Sequence, residues 1–323
     1  MTVNVAATRL CDCTTMAAAI DHIAPVFSGF EAYYTADLEP VLAALEPRRR
    51  KLARDCAVII GAAVLATIAA GGAVAILFHS VSGVLSVIFI GVMGAVLGLN
   101  WRMEDGYTAA NGALLGGIAR FLKLEHHSDV RRPRSMATFK KYGLVPAYNG
   151  MECGDVIEGE WAGAAFSVSE AFLSKRRRGK TGARRVFAGQ LFRIARCGGL
   201  DQPLVLIKPR GPFSGWRPPF AEARRLEGLT AGLDRRFHVW SAAPDSGRQA
   251  AALIVPLAEK LHDAYRKHHL AIGLIGNQLY IAVGNGHRLV PGSMWTPLTS
   301  RKRAKRAAVA FKHILDTVEW AAV

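Results

Sequence analysis

Acids, histidines and thiols are spaced along this chain so that few of them can act together. Glu259, His262 and Asp263 fall at i, i+3 and i+4 of a predicted helix and share one face. Metal binding by such a face draws on a second helix of the same kind, and none occurs, so the trio reads as a solvated polar face. Cys11-x-Cys13 could pair on a soft metal, yet no second thiol pair or nearby histidine completes a tetrahedral set. "SKRRRGKT", Ser174 to Thr181, ends like a phosphate-binding loop. It has Ser174 where the motif needs glycine, and a strand-like "RRVFAGQLF" follows where a helix is required. Gly284-Asn285-Gly286 lacks the third glycine and the helix of a dinucleotide loop. Asp155, Glu158, Glu160 and Glu170 lie on strand-like sequence, where alternation could gather some of them for acid–base work. An exposed strand face has the same pattern. No catalytic, cofactor-binding or metal-binding residue is nominated, and no cofactor is expected.

Cationic side chains are the chemistry that remains. The chain carries a net charge of +16, and from Lys140 onward 29 Lys and Arg face 14 Asp and Glu. Two runs stand out: Lys175, Arg176, Arg177 and Arg178 with Arg184 and Arg185, and then Arg301, Lys302, Arg303, Lys305 and Arg306. The second run opens a predicted helix, where the dipole disfavours cations by about 0.3–1 kcal/mol each. Anionic lipid, at about 1 kcal/mol per basic residue near a bilayer, is a partner that would outweigh that term. Another membrane protein is the alternative partner. Nucleic acid is not expected, because aromatics are not interleaved with the basic residues.

The elements that position these charges begin with a membrane segment. From Cys56 to Asn100 there are 45 residues without Asp, Glu, Lys or Arg. As one helix they would extend about 68 Å, twice the hydrocarbon thickness. His79, Ser80, Ser82 and Gly83 are the polar cluster that divides the run, giving predicted spans of about 57–78 and 83–100. His79 has no charged partner in either span and reads as a turn residue. Gly94-x-x-x-Gly98 offers the small surface on which a returning helix packs. Arg48, Arg49, Arg50, Lys51 and Arg54 precede the first span, Arg102, Arg120 and Lys123 follow the second, and the turn has no cation. Both termini are therefore expected in the cytoplasm. Only Arg9 charges the N-terminus, and Asp12, Asp21 and His22 interrupt any apolar core there. No cleaved secretory signal is expected. The five cysteines are odd in number and scattered, as reduced thiols are.

The predicted layout is α+β, a two-helix transmembrane hairpin followed by a cytoplasmic α+β domain with an antiparallel sheet. An N-terminal cytoplasmic helical segment occupies 1–55, with Pro40 and Pro47 expected to break or kink it. The hairpin fills 56–100, a juxtamembrane helix and basic linker 101–140, and the α+β domain 141–323. Within that domain "DVIEGEWAGAAFSVSEAFL" alternates as strands or a hairpin do, and "RRVFAGQLFRIARC", "QPLVLIKP" and "RRFHVWSA" are further strand candidates. "SGRQAAALIVPLAEKLHDAYRKH" has helical spacing. "LAIGLIGNQLYIAVGNG" reads as two strands about the turn pair Gly276-Asn277, and "SRKRAKRAAVAFKHILDTVEWAA" as a closing helix.

Several of these stretches together carry a resemblance. They are the aromatic-acidic helix leading into "LEPRRRK", the hairpin, and "YNGMECGDVIEGEWAGAAFSVSEAFL" before "VFAGQLFRI". "LDRRFHVWSAAPDSGRQAAALIVPLAEKL" before "LIGNQLYIAVGNG" completes the set. Over most of residues 27–320 the chain resembles an uncharacterised bacterial two-span membrane protein family, domain of unknown function 3137. It departs from that family at "FHVWSAAPD", where His238 and Ala242–Ala243 stand in place of expected acids. The resemblance implies topology and layout, and brings no activity, cofactor or catalytic residue. The expectation is a multi-pass protein of the bacterial inner membrane, serving as a scaffold, sensor or interaction domain, with homo-oligomerisation open. The competing expectation is a membrane-tethered enzyme with its site in the α+β domain.

Overall fold

Burial in the N-terminal helices follows a four-residue step: Phe30, Tyr34, Leu38 and Leu42 are all at most 3% exposed. The computed structural model describes residues 25–78, single positions 82, 86, 89, 91 and 94, and then 111–128, 130, 132–176, 182–209, 218–286, 289 and 295–322. It divides into two units, Met1–Gly117 with Pro291–Arg306, and Ile118–Val290 with Ala307–Val323.

In the first unit a short 3-10 turn (Pro25–Phe27) leads into α1 (Phe30–Tyr33), a π-helical turn (Tyr34–Leu38) and α2 (Glu39–Phe78). Phe27 meets Phe30 edge to face at 5.8 Å. The expected breaks at Pro40 and Pro47 do not occur. Pro40 follows directly on the π-helical turn, within one continuous run of helical backbone from Phe30, and α2 runs unbroken through Pro47. Helix α3 (residues 111–121) adds Leu114 and Leu115, both buried. Tyr33 Oη donates to the Gly117 carbonyl at 3.1 Å, and a Cβ on Gly117 would run into Leu38.

The helical stretch Pro25–Val74 is the one among the described residues long and apolar enough to cross a membrane, with only 6% of its most apolar window buried. Val58, Leu65, Ile68 and Ile76 are 64–75% exposed. A helix apolar on every side belongs in a core or in lipid, and these side chains are in no core. Of the predicted turn, His79, Ser80 and Gly83 lie outside the described residues. Ser82 is already helical, its carbonyl accepting from Ser86 Oγ at 2.9 Å. Gly91, also helical, sits so close to Thr67 of α2 that a Cβ would meet its hydroxyl.

The second unit is built on a seven-stranded sheet whose pairings are all antiparallel: β1 (Glu125–His127), β2 (Gly150–Trp161), β3 (Ala164–Arg176), β4 (Ala183–Ile207), β5 (Arg224–Leu226), β6 (His238–Ser241) and β7 (His269–Gly284). The predicted β2–β3 hairpin closes on Ala162 (φ 50) and Gly163 (φ 76), two consecutive left-handed residues as a tight two-residue turn requires. The expected strand pair "RRVFAGQLFRIARC" and "QPLVLIKP" is one strand, β4, of 25 residues. Its first half pairs with β3 and its second with β6, while β7 follows it along the opposite edge. The expected turn at Gly276-Asn277 is a correction of the same kind. Gly276 alone takes positive φ (57). The chain does not reverse there: β7 pairs with β4 on both sides of Gly276 and continues past it opposite the irregularity between Ala195 and Leu204, as a bulged strand does.

Helix α4 (Met136–Lys141) covers one face of the sheet, where Met136, Phe139, Leu173, Phe187, Leu191 and Tyr280 form the core and Phe139 meets Tyr280 edge to face at 5.4 Å. A short α5 (Ala231–Arg236), capped by Thr230 Oγ1 accepting from Leu233 N–H, leads to β6. It precedes α6 (Pro244–Ala264), which buries Ala250, Ile254, Leu257, Ala258 and Leu261 at helical spacing. In α7 (Arg301–Ala322), Thr317 Oγ1 stands 2.7 Å from Tyr265 Oη. The α+β class and antiparallel sheet are as expected from sequence.

Gly189 on β4 is the tightest point of the β4–β7 seam. A Cβ there would overlap the Val283 carbonyl, which is backbone and cannot step aside. Gly189→Ala is expected to destabilise the protein by about 3 kcal/mol. Gly163→Ala, with open space around it but φ 76, is expected to cost about 1 kcal/mol. Thermal unfolding in detergent micelles measures both.

Candidate functional site

The second basic run opens α7, and its members face different ways. Arg303 is 2% exposed, and is therefore not a surface contact for lipid. Its guanidinium donates to Asn111 Oδ1 at 3.0 Å and to the Thr296 carbonyl at 3.1 Å. Arg301 is ion-paired with Glu31 and with Glu39, and lies over the Tyr34 ring at 4.8 Å. Burial, with Glu39 nearby, pushes the Tyr34 phenol up to about 12. Lys302, Lys305 and Arg306 are exposed. The cations that look misplaced at a helix N-terminus are, for Arg301 and Arg303, held by fixed acceptors. Each is worth more than the small dipole term.

The same unit buries Glu46, 7% exposed, on α2. Arg49 donates to both its oxygens at 2.7 and 2.9 Å, Arg50 Nε donates at 3.1 Å, and the Leu298 N–H at 3.0 Å. The Arg49 hydrogen bonds hold its carboxyl at about 2, although burial alone acts in the opposite sense. Glu46 thus ties α2 to the segment just before α7.

The first basic run lies on the β3–β4 hairpin. Lys175 pairs across the ladder with Arg184, Ser174 with Arg185, and Arg176 with Ala183. All four cations are exposed, and none of them makes an ion pair among the described residues. Arg185 lies over the Phe172 ring at 5.4 Å. Asn149 fixes the strand end, accepting from Arg176 N–H at 2.8 Å and donating to its carbonyl at 3.3 Å. Arg177 and Arg178 lie outside the described residues. Directly opposed like charges weaken a ladder, so Lys175 facing Arg184 has no structural reason within the sheet.

The four acids considered for catalysis are not gathered. Asp155 accepts from His126 Nε2 at 2.9 Å. Glu158 accepts from Ser167 Oγ at 2.7 Å. Glu170, 1% exposed, accepts from the Leu289 N–H at 2.8 Å, and Glu160 is exposed. Glu158 alone of the four lines the cleft beside residues 132–135. On α6, His262 Nδ1 lies 3.4 Å from Asp263, and Asp263 3.7 Å from Arg236. Among the described residues no group of His, Cys, Asp and Glu has a metal-binding arrangement. Burial pushes the Cys153 thiol up to about 11, away from reactivity.

No protein-family model matches the chain, and no curated protein matches it. Among solved structures, the crystal structure of the mycobacterial trehalose monomycolate transport factor A, TtfA, is similar at a TM-score of 0.35 and 12% identity. The match covers 65% of this chain and 96% of that one. A likeness at that level carries no argument about fold or role.

Because the folded Glu46 carboxyl sits at about 2 rather than 4.5, its stabilisation is complete above about pH 4.5 and is lost as pH falls through about 2. Glu46→Gln is expected to lower stability at neutral pH by about 2 kcal/mol or more, and to flatten the acid limb of the stability profile. Melts from neutral pH downward measure both effects.

Proposed function

We propose that this chain is a two-span protein of the bacterial inner membrane, with both termini cytoplasmic. Its α+β domain serves as a non-enzymatic scaffold or sensor that meets anionic lipid through the β3–β4 hairpin. The observation that carries this reading is Lys175 opposite Arg184, beside Arg176 and Arg185, all exposed and without counter-charge among the described residues. Such an arrangement costs the sheet stability and is repaid only by an external anion. A bilayer is the anion that an anchored domain always has within reach.

The hairpin topology draws support from three things: the exposed apolar surface of α2, the approach of Gly91 to Thr67, and the cations flanking the uncharged run. Membership in the domain-of-unknown-function family that the sequence resembles is part of the same proposal. The hairpin supplies the lipid contact here, with Lys302, Lys305 and Arg306 as further exposed cations. Arg301 and Arg303 take no part.

Hydrogen exchange of residues 172–187, in the full chain reconstituted into nanodiscs, tests the lipid contact. With each cation worth about 1 kcal/mol near the surface, exchange slows on the order of tenfold in phosphatidylglycerol-containing discs relative to neutral ones. The difference closes at high salt and in Lys175→Gln/Arg184→Gln. Equal exchange in both discs sinks the lipid contact.

A further inference from the structure

The sheet face that carries α4 is not apolar throughout. Glu158 pairs with Ser167 across β2–β3, and Ser167 with Arg193 across β3–β4. Cross-strand partners project from the same side of a sheet, so the three side chains form one row, which Glu125, the β1 partner of Glu158, continues at its outer end. Beside this row the segment 132–135 enters α4, leaving a cleft of about 280 Å³ that is also lined by His127, Arg132, Arg134 and Ser135.

The charges in that cleft do not cancel. Arg132, Arg134 and Arg193 contribute three guanidinium groups, and none of the three makes an ion pair among the described residues. The one carboxylate, Glu158, is engaged by Ser167 Oγ at 2.7 Å. Three arginines against Glu158 leave two net positive charges among these groups, with exposed Glu125, 3.5 Å from His127 Nε2, as the neighbouring carboxylate. Three guanidiniums around one small hollow repel one another, and the fold gains nothing from keeping them unpaired. A guanidinium fork matches the oxygens of phosphate two at a time. The volume lies just below the usual range of small-molecule sites, which suits a headgroup or a small ester.

We propose that this cleft is a binding site for a compact phosphate-monoester dianion, held by Arg193 from the sheet and by Arg132 and Arg134 from the segment entering α4. Ser135 and His127 are further polar groups on its rim, and Glu158 is the opposing charge that limits affinity. The site is separate from the β3–β4 hairpin and does not rest on the lipid reading.

Calorimetric titration of the full chain in neutral detergent with inorganic phosphate, at constant ionic strength, tests it. The expected result is saturable binding of one phosphate per chain. Arg193→Gln and Arg134→Gln each weaken it tenfold or more. Lys267→Gln, exposed and outside both the cleft and the hairpin, leaves it unchanged, and Glu158→Gln tightens it several-fold, a gain that damage to the fold would not produce. Non-saturable heats, unchanged binding in both arginine variants, or weaker binding in Glu158→Gln overturns the proposal. A second arm identifies the source of the phosphate group. In nanodiscs containing phosphatidic acid, competition with inorganic phosphate assigns the site to a lipid headgroup. Phosphate binding undiminished relative to neutral discs assigns it to a soluble ester. The site stands in either case.

Discussion

A 25-residue strand that pairs with three others leaves them little freedom, and β4 imposes that condition on the sheet of the second unit, with both its edges paired around Gln190–Ile194 and again at Leu204–Ile207. Strand β3 is aligned by Ala183–Ile194, β6 by Leu204–Ile207 and β7 by Gln190–Ile207. The three contacts have to agree in register, and the irregularity between Ala195 and Leu204 absorbs the mismatch opposite the left-handed Gly276. Gly189 lets β7 approach at the point of closest contact. Because the ladder is fixed there, Glu158, Ser167 and Arg193 fall in one row, and Lys175 and Arg184 fall opposite each other at the hairpin end.

Charge plays two different parts in the two units. In the first, Glu46 and Arg303 are buried and saturated with partners, so their ionisation is spent on fixing the segment around Leu298. A buried charge that lost its partner would be strongly destabilising, which makes these groups markers of a single arrangement. In the second unit the arginines of the cleft and the cations of the hairpin are exposed and unsatisfied among the described residues. The difference between saturated and unsatisfied cations, rather than their number, separates structure from candidate recognition.

Sequence alone made legible whatever depends on local pattern. The alternation of residues 155–173 and the helical spacing of residues 246–268 reported β2, β3 and α6. The charge-free run reported a helix able to cross a membrane. It did not reveal that two strand candidates form one β4, because a bulge and a turn share the same glycine signal, and only the partner strand decides between them. Nor did it separate Arg303 from Lys302. Neighbours in a basic run look alike until the acceptor, here Asn111, is brought in from a distant part of the chain. The Glu158–Ser167–Arg193 row was invisible for the same reason, since it joins three strands.

The π-helical turn at Tyr34–Leu38 has a consequence for phase. Residues four apart on an ordinary helix drift by about 40° at every step, so a stripe of five such positions would wind well around the cylinder. Phe30, Tyr34, Leu38, Leu42 and Glu46 are nonetheless all buried. The wider turn in their midst takes up part of that rotation and acts as a vernier between sequence spacing and helical pitch. The carboxylate of Glu46 thereby comes into line with the aromatic residues that precede it. A single surplus residue in one turn thus sets the bearing of an ionic contact two turns further on.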